Sequence, residues 1–417
     1  MSRIAIIGAG ISGMAAAYLL SHKHEVWLFE KESRLGGHTH THAIATSAGT
    51  LPIDTGFIVH NDRTYPNLVK LFQKLSVDRQ PSDMSFGVSC QETGFEYSSR
   101  GLSGFFGSNL FRLGQYKLFA EILRFNRESR RLLSDPPNAD MTLGDYLLNN
   151  EFAGDFARYY LNPMAASVWS TSLEEIEDFP ALTLIRFFEN HGFLGLTTQA
   201  QWYVVKGGSS AYIAPLTAPY KERVRLGSEI ESVTRTPVGV EITFKDRVPE
   251  RFDEVLFACH APQTLQLLRD ATPLESEILG SFRTIRNQTV LHTDSRMLPQ
   301  RPNARASWNY HLGTSRQSAT LTYYMNRLQN LATREDYCVT LNSSSSLDRR
   351  HILREMEYFH PLYTLDAVRA QARWAEISGQ NRTHFCGAYW FYGFHEDGLN
   401  SAIRVAEQLG VSWSAAI

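Results

Sequence analysis

Gly8, Gly10 and Gly13 are spaced as G-x-G-x-x-G, with Ala9, Ile11 and Ser12 between them, directly after the apolar run Arg3–Ile7. That spacing suits one kind of chemistry. The first glycine permits a tight turn, the second lets backbone close on a pyrophosphate, and the third lets the following helix pack on the strand. A helix opening at Ile11 offers unpaired N–H groups and partial positive charge to phosphate. Glu30 ends the next apolar run, 20 residues after Gly10, where an acid accepts hydrogen bonds from a ribose. Strand, glycine turn, helix, strand and acid in register predict a dinucleotide site.

The segment after Glu30 narrows the ligand. Lys31, Arg34 and the pair Gly36-Gly37 add charge and a second close-approach turn beside the ribose acid, suited to the pyrophosphate of FAD. No second G-x-G-x-x-G follows, so no separate nicotinamide domain is expected. His38, His40 and His42 alternate and would share one face of a strand. They lack clustered Cys, Asp or Glu at metal spacing, so they read as polar lining of the flavin region, with no metal. Asp54, Thr55 and Gly56 follow the next strand and are expected near the flavin ring, or form a plain turn. His395 lies just before a closing helix, where an imidazole could carry a proton during hydride transfer or simply bond to backbone. Tyr310 and Tyr324 stand in aromatic strands and either line a pocket or fill core.

Several segments together resemble the flavin amine oxidase and phytoene desaturase group. They are E-x-x-x-R-x-G-G over Glu30–Gly37, the turn Val205–Gly208, the strand Glu229–Val233, the run Phe252–Ala258 ending at Pro262, and the C-terminal Phe385–Ala388 and His395–Leu399. The resemblance spans nearly the whole chain. It implies a glutathione-reductase-type FAD domain interleaved with a substrate domain. It also implies that Val233 runs beside the adenosine half, while Gly387, Asp397, Gly398 and Leu399 meet the flavin. A closer match is to a bacterial subfamily of predicted NAD/FAD-binding proteins, often encoded beside cyclopropane-fatty-acyl synthases. Its signatures resemble Gly37–Thr41, Asp54–Val59, Asp83–Phe86, Ser307–Tyr310, Tyr324–Gln329 and Gly393–Gly398. The chain departs from typical amine oxidases in one respect: no lysine occurs after Lys245, whereas the group keeps a substrate-domain lysine near the flavin. His395 stands nearest the slot of a cage aromatic. No cysteine has the covalent-flavin context, so noncovalent FAD is expected.

The elements that must position these residues are β-α-β over residues 3–30, helices over 64–76 and 182–194, and a mostly helical 100–160 broken at Pro136-Pro137. Strands follow over 223–257 and 285–342, then strand or loop over 366–376, and a closing helix over 398–409. An α/β fold follows, in which a Rossmann-like FAD domain (1–75, 205–270, 370–417) is interleaved with an α+β substrate domain (76–204, 271–369). The length of 417 residues suits two domains, and 43% hydrophobic residues can build large cores. A net charge of -2 gives no sign of nucleic acid. Four scattered cysteines suit a reducing cytoplasm. Residues 105–131 combine aromatics with Arg112, Lys117, Arg124, Arg127, Arg130 and Arg131. They read as a surface helix or as a contact with an anionic membrane. The expected activity is hydride transfer from a hydrophobic, lipid-like substrate to FAD, the electron acceptor being open. The alternatives are oxidation of a hydrophobic amine, or flavin binding without turnover as partner of a lipid-modifying enzyme.

Overall fold

The apolar run at the N-terminus forms the centre of a five-stranded parallel sheet. Arg3–Ile7 pairs with Glu25–Phe29 on one side and Glu254–Phe257 on the other, with Val224–Arg225 and Thr383–Phe385 at the edges. Ile4, Ala5 and Ile6 are fully buried, as expected where both faces of a parallel sheet are covered. The computed structural model describes residues 1–107, 113–134, 140–152, 154–195, 200–313, 319–343 and 347–417; Arg112 and the Pro136-Pro137 break lie outside the described residues.

Helix Ile11–Leu20 is buried along its whole length. Its run of alanines lets the sheet and the C-terminal helix His395–Gln408 approach it closely. A three-stranded antiparallel meander (Ile230–Thr236, Gly239–Phe244, Glu250–Phe252) joins this core.

The second core is built on a seven-stranded sheet. Its order is Ile352–Leu362, Arg283–His292, Cys338–Leu341, Thr320–Tyr324, Trp308–Leu312, Phe86–Cys90, Phe95–Ser98. The pair Trp308–Leu312 and Phe86–Cys90 is parallel and the other pairs are antiparallel. Helices Leu113–Ser134, Leu143–Asn149, Asn162–Trp169 and Ala181–Asn190 share its apolar cluster. Strand Trp202–Val205 serves both lobes: Trp202 and Val205 belong to the first cluster, and Val204 to the second.

Two local readings need correction. The segment expected as strand or loop over 366–376 is helical, as Leu365–Ala372 and Trp374–Ile377. Thr364 caps it by accepting from Ala367 N–H at 3.2 Å, and two turns are too short for a helical period to stand out. The eleven-residue strand Ile352–Leu362 was not foreseen. Only Tyr358 in it is buried, so it lacks the apolar alternation by which a half-buried strand is read.

Candidate flavin site

The three glycines occupy three different environments. Gly8 has φ +103°, which favours glycine. A Cβ on Gly13 would collide with the Gly8 carbonyl oxygen, so helix and strand can pack only with glycine there. A Cβ on Gly10 would meet nothing within 4 Å. Gly10 is extended, with φ -73° and ψ -177°, and caps the helix. The first intrahelical bond runs from Met14 N–H to the Gly10 carbonyl. The N–H groups of Ile11, Ser12 and Gly13 therefore have no partner within the helix.

A second helix start closes on the first. A Cβ on Gly398 would meet Ile11 Cγ2 at 2.7 Å and Ser12 Oγ at 2.9 Å. The two helix N-termini thus converge, and both carry partial positive charge. Gly36 donates to the Ala9 carbonyl at 2.9 Å, and a Cβ on Gly37 would stand 3.1 Å from Gly10 Cα. The result is a cradle of bare backbone with open space at Gly10. It fits a pyrophosphate, which needs N–H donors and no side chain in the way.

Around the cradle, Glu30 accepts from Ala9 N–H at 2.7 Å and from Glu32 N–H at 3.0 Å, so its carboxylate is fixed against the turn. Arg34 donates to the carbonyls of Leu35, Gly37 and Thr39 and clamps the second glycine turn. Lys31 points to solvent, 3.8 Å from Glu32. Val233 lies buried on the meander, where its carbonyl accepts from Arg269 N–H at 3.0 Å. Gly387, with φ +154°, donates to Ser401 Oγ at 2.8 Å, and Leu399 is core.

His395 is pinned rather than free. Its ring stacks on Phe57 at 3.6 Å with a 12° interplanar angle. Nε2 lies 2.9 Å from Thr39 Oγ1 and 3.1 Å from Tyr212 OH. Burial, and secondly His60, lower its pKa to about 3. It is neutral at ordinary pH and a weak base there. His38 differs: its Nε2 is buried with no partner among the described residues. Its ring lies 5.1 Å from His360, 5.2 Å from Tyr358 and 6.3 Å from His260. Burial, with these histidines, holds His38 well below the ordinary range. Tyr358 OH lies 3.0 Å from His40 Nδ1 and 2.7 Å from Thr55 Oγ1, and Thr55 Oγ1 is 3.2 Å from His42 Nε2. His40 and His42 therefore enter one network of hydroxyls and neutral imidazoles, which His38 meets only through its ring contact with Tyr358. His260, His360, Tyr212 and Tyr358 went unread in the sequence, since single residues carry no spacing signal.

Asp54 is fully buried and works as a junction. It accepts from Thr41 Oγ1 at 2.5 Å, Ser209 N–H and Oγ at 2.9 Å, and Gln329 Nε2 at 2.9 Å. Burial raises its pKa to about 6 against the pull of these bonds. Thr55–Gly56 packs on the backbone of His38–His40: Phe57 N–H donates to the His38 carbonyl at 2.8 Å, and a Cβ on Gly56 would collide there. Asp397 accepts from Phe394 N–H at 2.9 Å, and burial raises its pKa to about 7. Tyr310 is not brought to this group. It sits in the second core, paired with Leu321 and Val88. Tyr324 OH donates to Asp336. Among the described residues no group of three or more His, Cys, Asp or Glu could hold a metal.

A Rossmann-like sheet, a glycine cradle and two converging helix N-termini define a dinucleotide-binding oxidoreductase fold. The profile of the family "Flavin containing amine oxidoreductase" matches residues 11–293, and the chain belongs to that family; its cofactor is FAD. Solved structures of similar fold include a putrescine oxidase variant (TM-score 0.72, 14% identity, 98% of each chain covered). Two others are the CLA-producing fatty acid isomerase from P. acnes (0.69, 14%, 98% of each chain) and cyclohexylamine oxidase from Brevibacterium oxydans (0.69, 16%, 98% of this chain and 99% of the other). None of the curated proteins matches the chain.

Proposed function

We propose that this FAD-dependent oxidoreductase dehydrogenates or desaturates a hydrophobic, lipid-like substrate. The observation that carries the reading is the neutral wall beside the cradle. His38, His260, His360 and His395 are all held unprotonated by burial, and they are interleaved with Phe57, Tyr212 and Tyr358. No lysine follows Lys245. The buried carboxylates Asp54, Glu396 and Asp397 are already bonded to backbone or side chains. Among the described residues an ammonium group would find no uncommitted counter-charge here, and desolvating it would cost on the order of several kcal/mol. A hydrocarbon pays no such penalty.

Bound FAD supplies a two-electron acceptor for hydride. In this reading Gly8, Gly10, Ile11, Ser12, Gly13, Gly36 and Gly37 hold its pyrophosphate by backbone, and Glu30 holds its ribose. Gly398 and Asp397 set the second helix start against it. Val233 and Gly387 flank it without a side-chain donor. Noncovalent binding is part of this reading: burial raises the Cys259 thiol to about 11 and pushes the Cys386 thiol up, which leaves neither a ready nucleophile for a link to flavin. Removing two hydrogens from a C–C unit leaves one proton for the protein to take. His38 Nε2 is buried without a partner among the described residues and is free to receive it, whereas His395 Nε2 is committed to Thr39 and Tyr212; burial makes both rings weak bases. His395 becomes a positioning residue, holding Thr39 and Tyr212 beneath the second glycine turn. The division into segments 1–75, 205–270 and 370–417 for FAD, and 76–204 and 271–369 for substrate, belongs to the same proposal.

A hydrophobic amine is the second reading, favoured by the fold shared with putrescine oxidase and cyclohexylamine oxidase. Anaerobic stopped-flow mixing decides between them. Bleaching of the flavin by unsaturated fatty acyl substrates and not by alkylamines is the expected result. Bleaching by amines alone would reverse the assignment, and bleaching by neither would point to a flavin-binding partner protein.

A further inference from the structure

We propose that the outward face of helices Gly101–Phe105 and Leu113–Ser134 docks on an anionic lipid bilayer. Among the described residues ten large hydrophobic side chains are exposed, and four lie between residues 102 and 123. They are Leu102 (74% exposed), Leu113 (78%), Tyr116 (47%) and Leu123 (43%). Such clustering on one surface marks an interaction site, whereas scattered exposed apolar residues do not.

Spacing and packing fix the geometry. Leu113, Tyr116, Ala120, Leu123, Arg127, Arg130 and Arg131 are exposed at helical intervals on one face of the long helix. The opposite face, with Leu118, Ile122 and Phe125, is buried in the second core. Gln115 Nε2 donates to the Phe105 carbonyl at 2.7 Å, and the Phe106 ring lies 5.2 Å from Tyr116. The short helix is thereby anchored beside the first turns of the long one. The exposed face is mostly apolar in its N-terminal half, where Lys117 is its one exposed charge, and cationic in its C-terminal half.

That pairing identifies the occupant. An apolar face enters the acyl boundary while arginines meet lipid phosphates at the headgroups. The arginines are partnered at the surface: Arg127 and Arg131 with Glu128, and Arg130 with Glu189. Exposed pairs of this kind are weak and exchange readily for phosphate. The helix residues 113–134 carry five basic and two acidic side chains, although the whole chain is net -2. Attraction to an anionic surface must therefore be local. Docking stands apart from the substrate reading, because it is measured without turnover.

The test is co-sedimentation of the full FAD-loaded chain with vesicles of phosphatidylglycerol or of phosphatidylcholine. Binding to the first alone, reversed by salt, is expected. Replacing Arg127, Arg130 and Arg131 by Gln should weaken it roughly fivefold per arginine and flatten its salt dependence. Leu113→Asp with Leu123→Asp should weaken it at least as much, while Val238→Asp, exposed on the meander, should leave it unchanged. Melting temperatures should hold in all variants. A wild-type chain left in the supernatant at low salt would overturn the proposal. So would binding that survives the Leu113→Asp, Leu123→Asp change, or self-association through this face in place of lipid binding.

Discussion

Gly10 and Gly13 are separated by one helical turn, yet substitution should affect them in opposite ways. Valine at Gly10 enters open space, so the apoprotein should fold and melt as the wild type while FAD is lost from the cradle. Valine at Gly13 collides with the Gly8 carbonyl and should prevent folding. Flavin absorbance after gel filtration, together with a melting curve, separates the two; a Gly10→Val protein that keeps full flavin occupancy would remove the cradle from the site. Glu30→Gln should weaken FAD binding by about 1–3 kcal/mol with the fold intact, and an unchanged dissociation constant would show that the ribose is held elsewhere. His38 and His395 form another contrasting pair. His38→Gln should slow flavin reduction, by at most the roughly 10²–10⁴-fold that a proton acceptor matched to the working pH contributes. His395→Gln should melt earlier but reduce at nearly the wild-type rate; the reverse pattern would restore the proton to His395. The glycines were legible because their roles depend on neighbours a few positions away. The state of His395 was not, because Phe57, Thr39 and Tyr212 come from three distant segments.

At the scale of elements, Glu396 shows how much of the site is held from outside it. Its carboxylate accepts from Asn67 N–H at 3.0 Å and Leu68 N–H at 2.8 Å, so one helix start caps another, Pro66–Lys74. Glu396→Ala should cost about 0.5–2 kcal/mol, as for other lost caps. A urea midpoint that falls with unchanged slope is the signature; no change in midpoint would mean water replaces the carboxylate. The helix at 66–74 was readable from its apolar spacing. Its cap was not, because donor and acceptor are 328 residues apart. Asp54 is similar: the sequence suggests a place near the flavin ring or a plain turn, but its bonds to Ser209 and Gln329 span 155 and 275 residues. Local periodicity exposes elements, whereas the polar junctions that lock them require the tertiary fold.

Across the whole molecule the buried imidazoles act together. His42, His60, His191, His260, His292 and His360 are lowered to about 4, and His40 and His395 to about 3, in each case mainly by burial. An unfolded chain takes up these protons near 6.5, so between about 6.5 and 4 it binds more protons than the fold, and stability falls as pH drops. Asp54 and Asp397, raised to about 6 and 7, oppose this: the fold binds their protons first and gains as pH falls toward 4. Eight imidazoles outweigh two carboxylates. The melting temperature should therefore decline from pH 6.5 to 4.5, and a flat or rising profile would contradict the neutral histidine wall.

The contact of Gly398 with Ile11 and Ser12 also bears on how the chain is made. The glycine turn leaves the ribosome well before its facing helix start, which lies 388 positions later. At about 5–20 residues per second, the two halves of the cradle are separated by roughly 20–80 s of translation. For the first part of that interval the central strand Arg3–Ile7 also lacks its neighbour Glu254–Phe257, leaving an apolar edge open to misassembly. Flavin can therefore stabilise this protein only once the second helix start has been made, and cells short of riboflavin should lose it by degradation of newly made chains rather than of the mature pool.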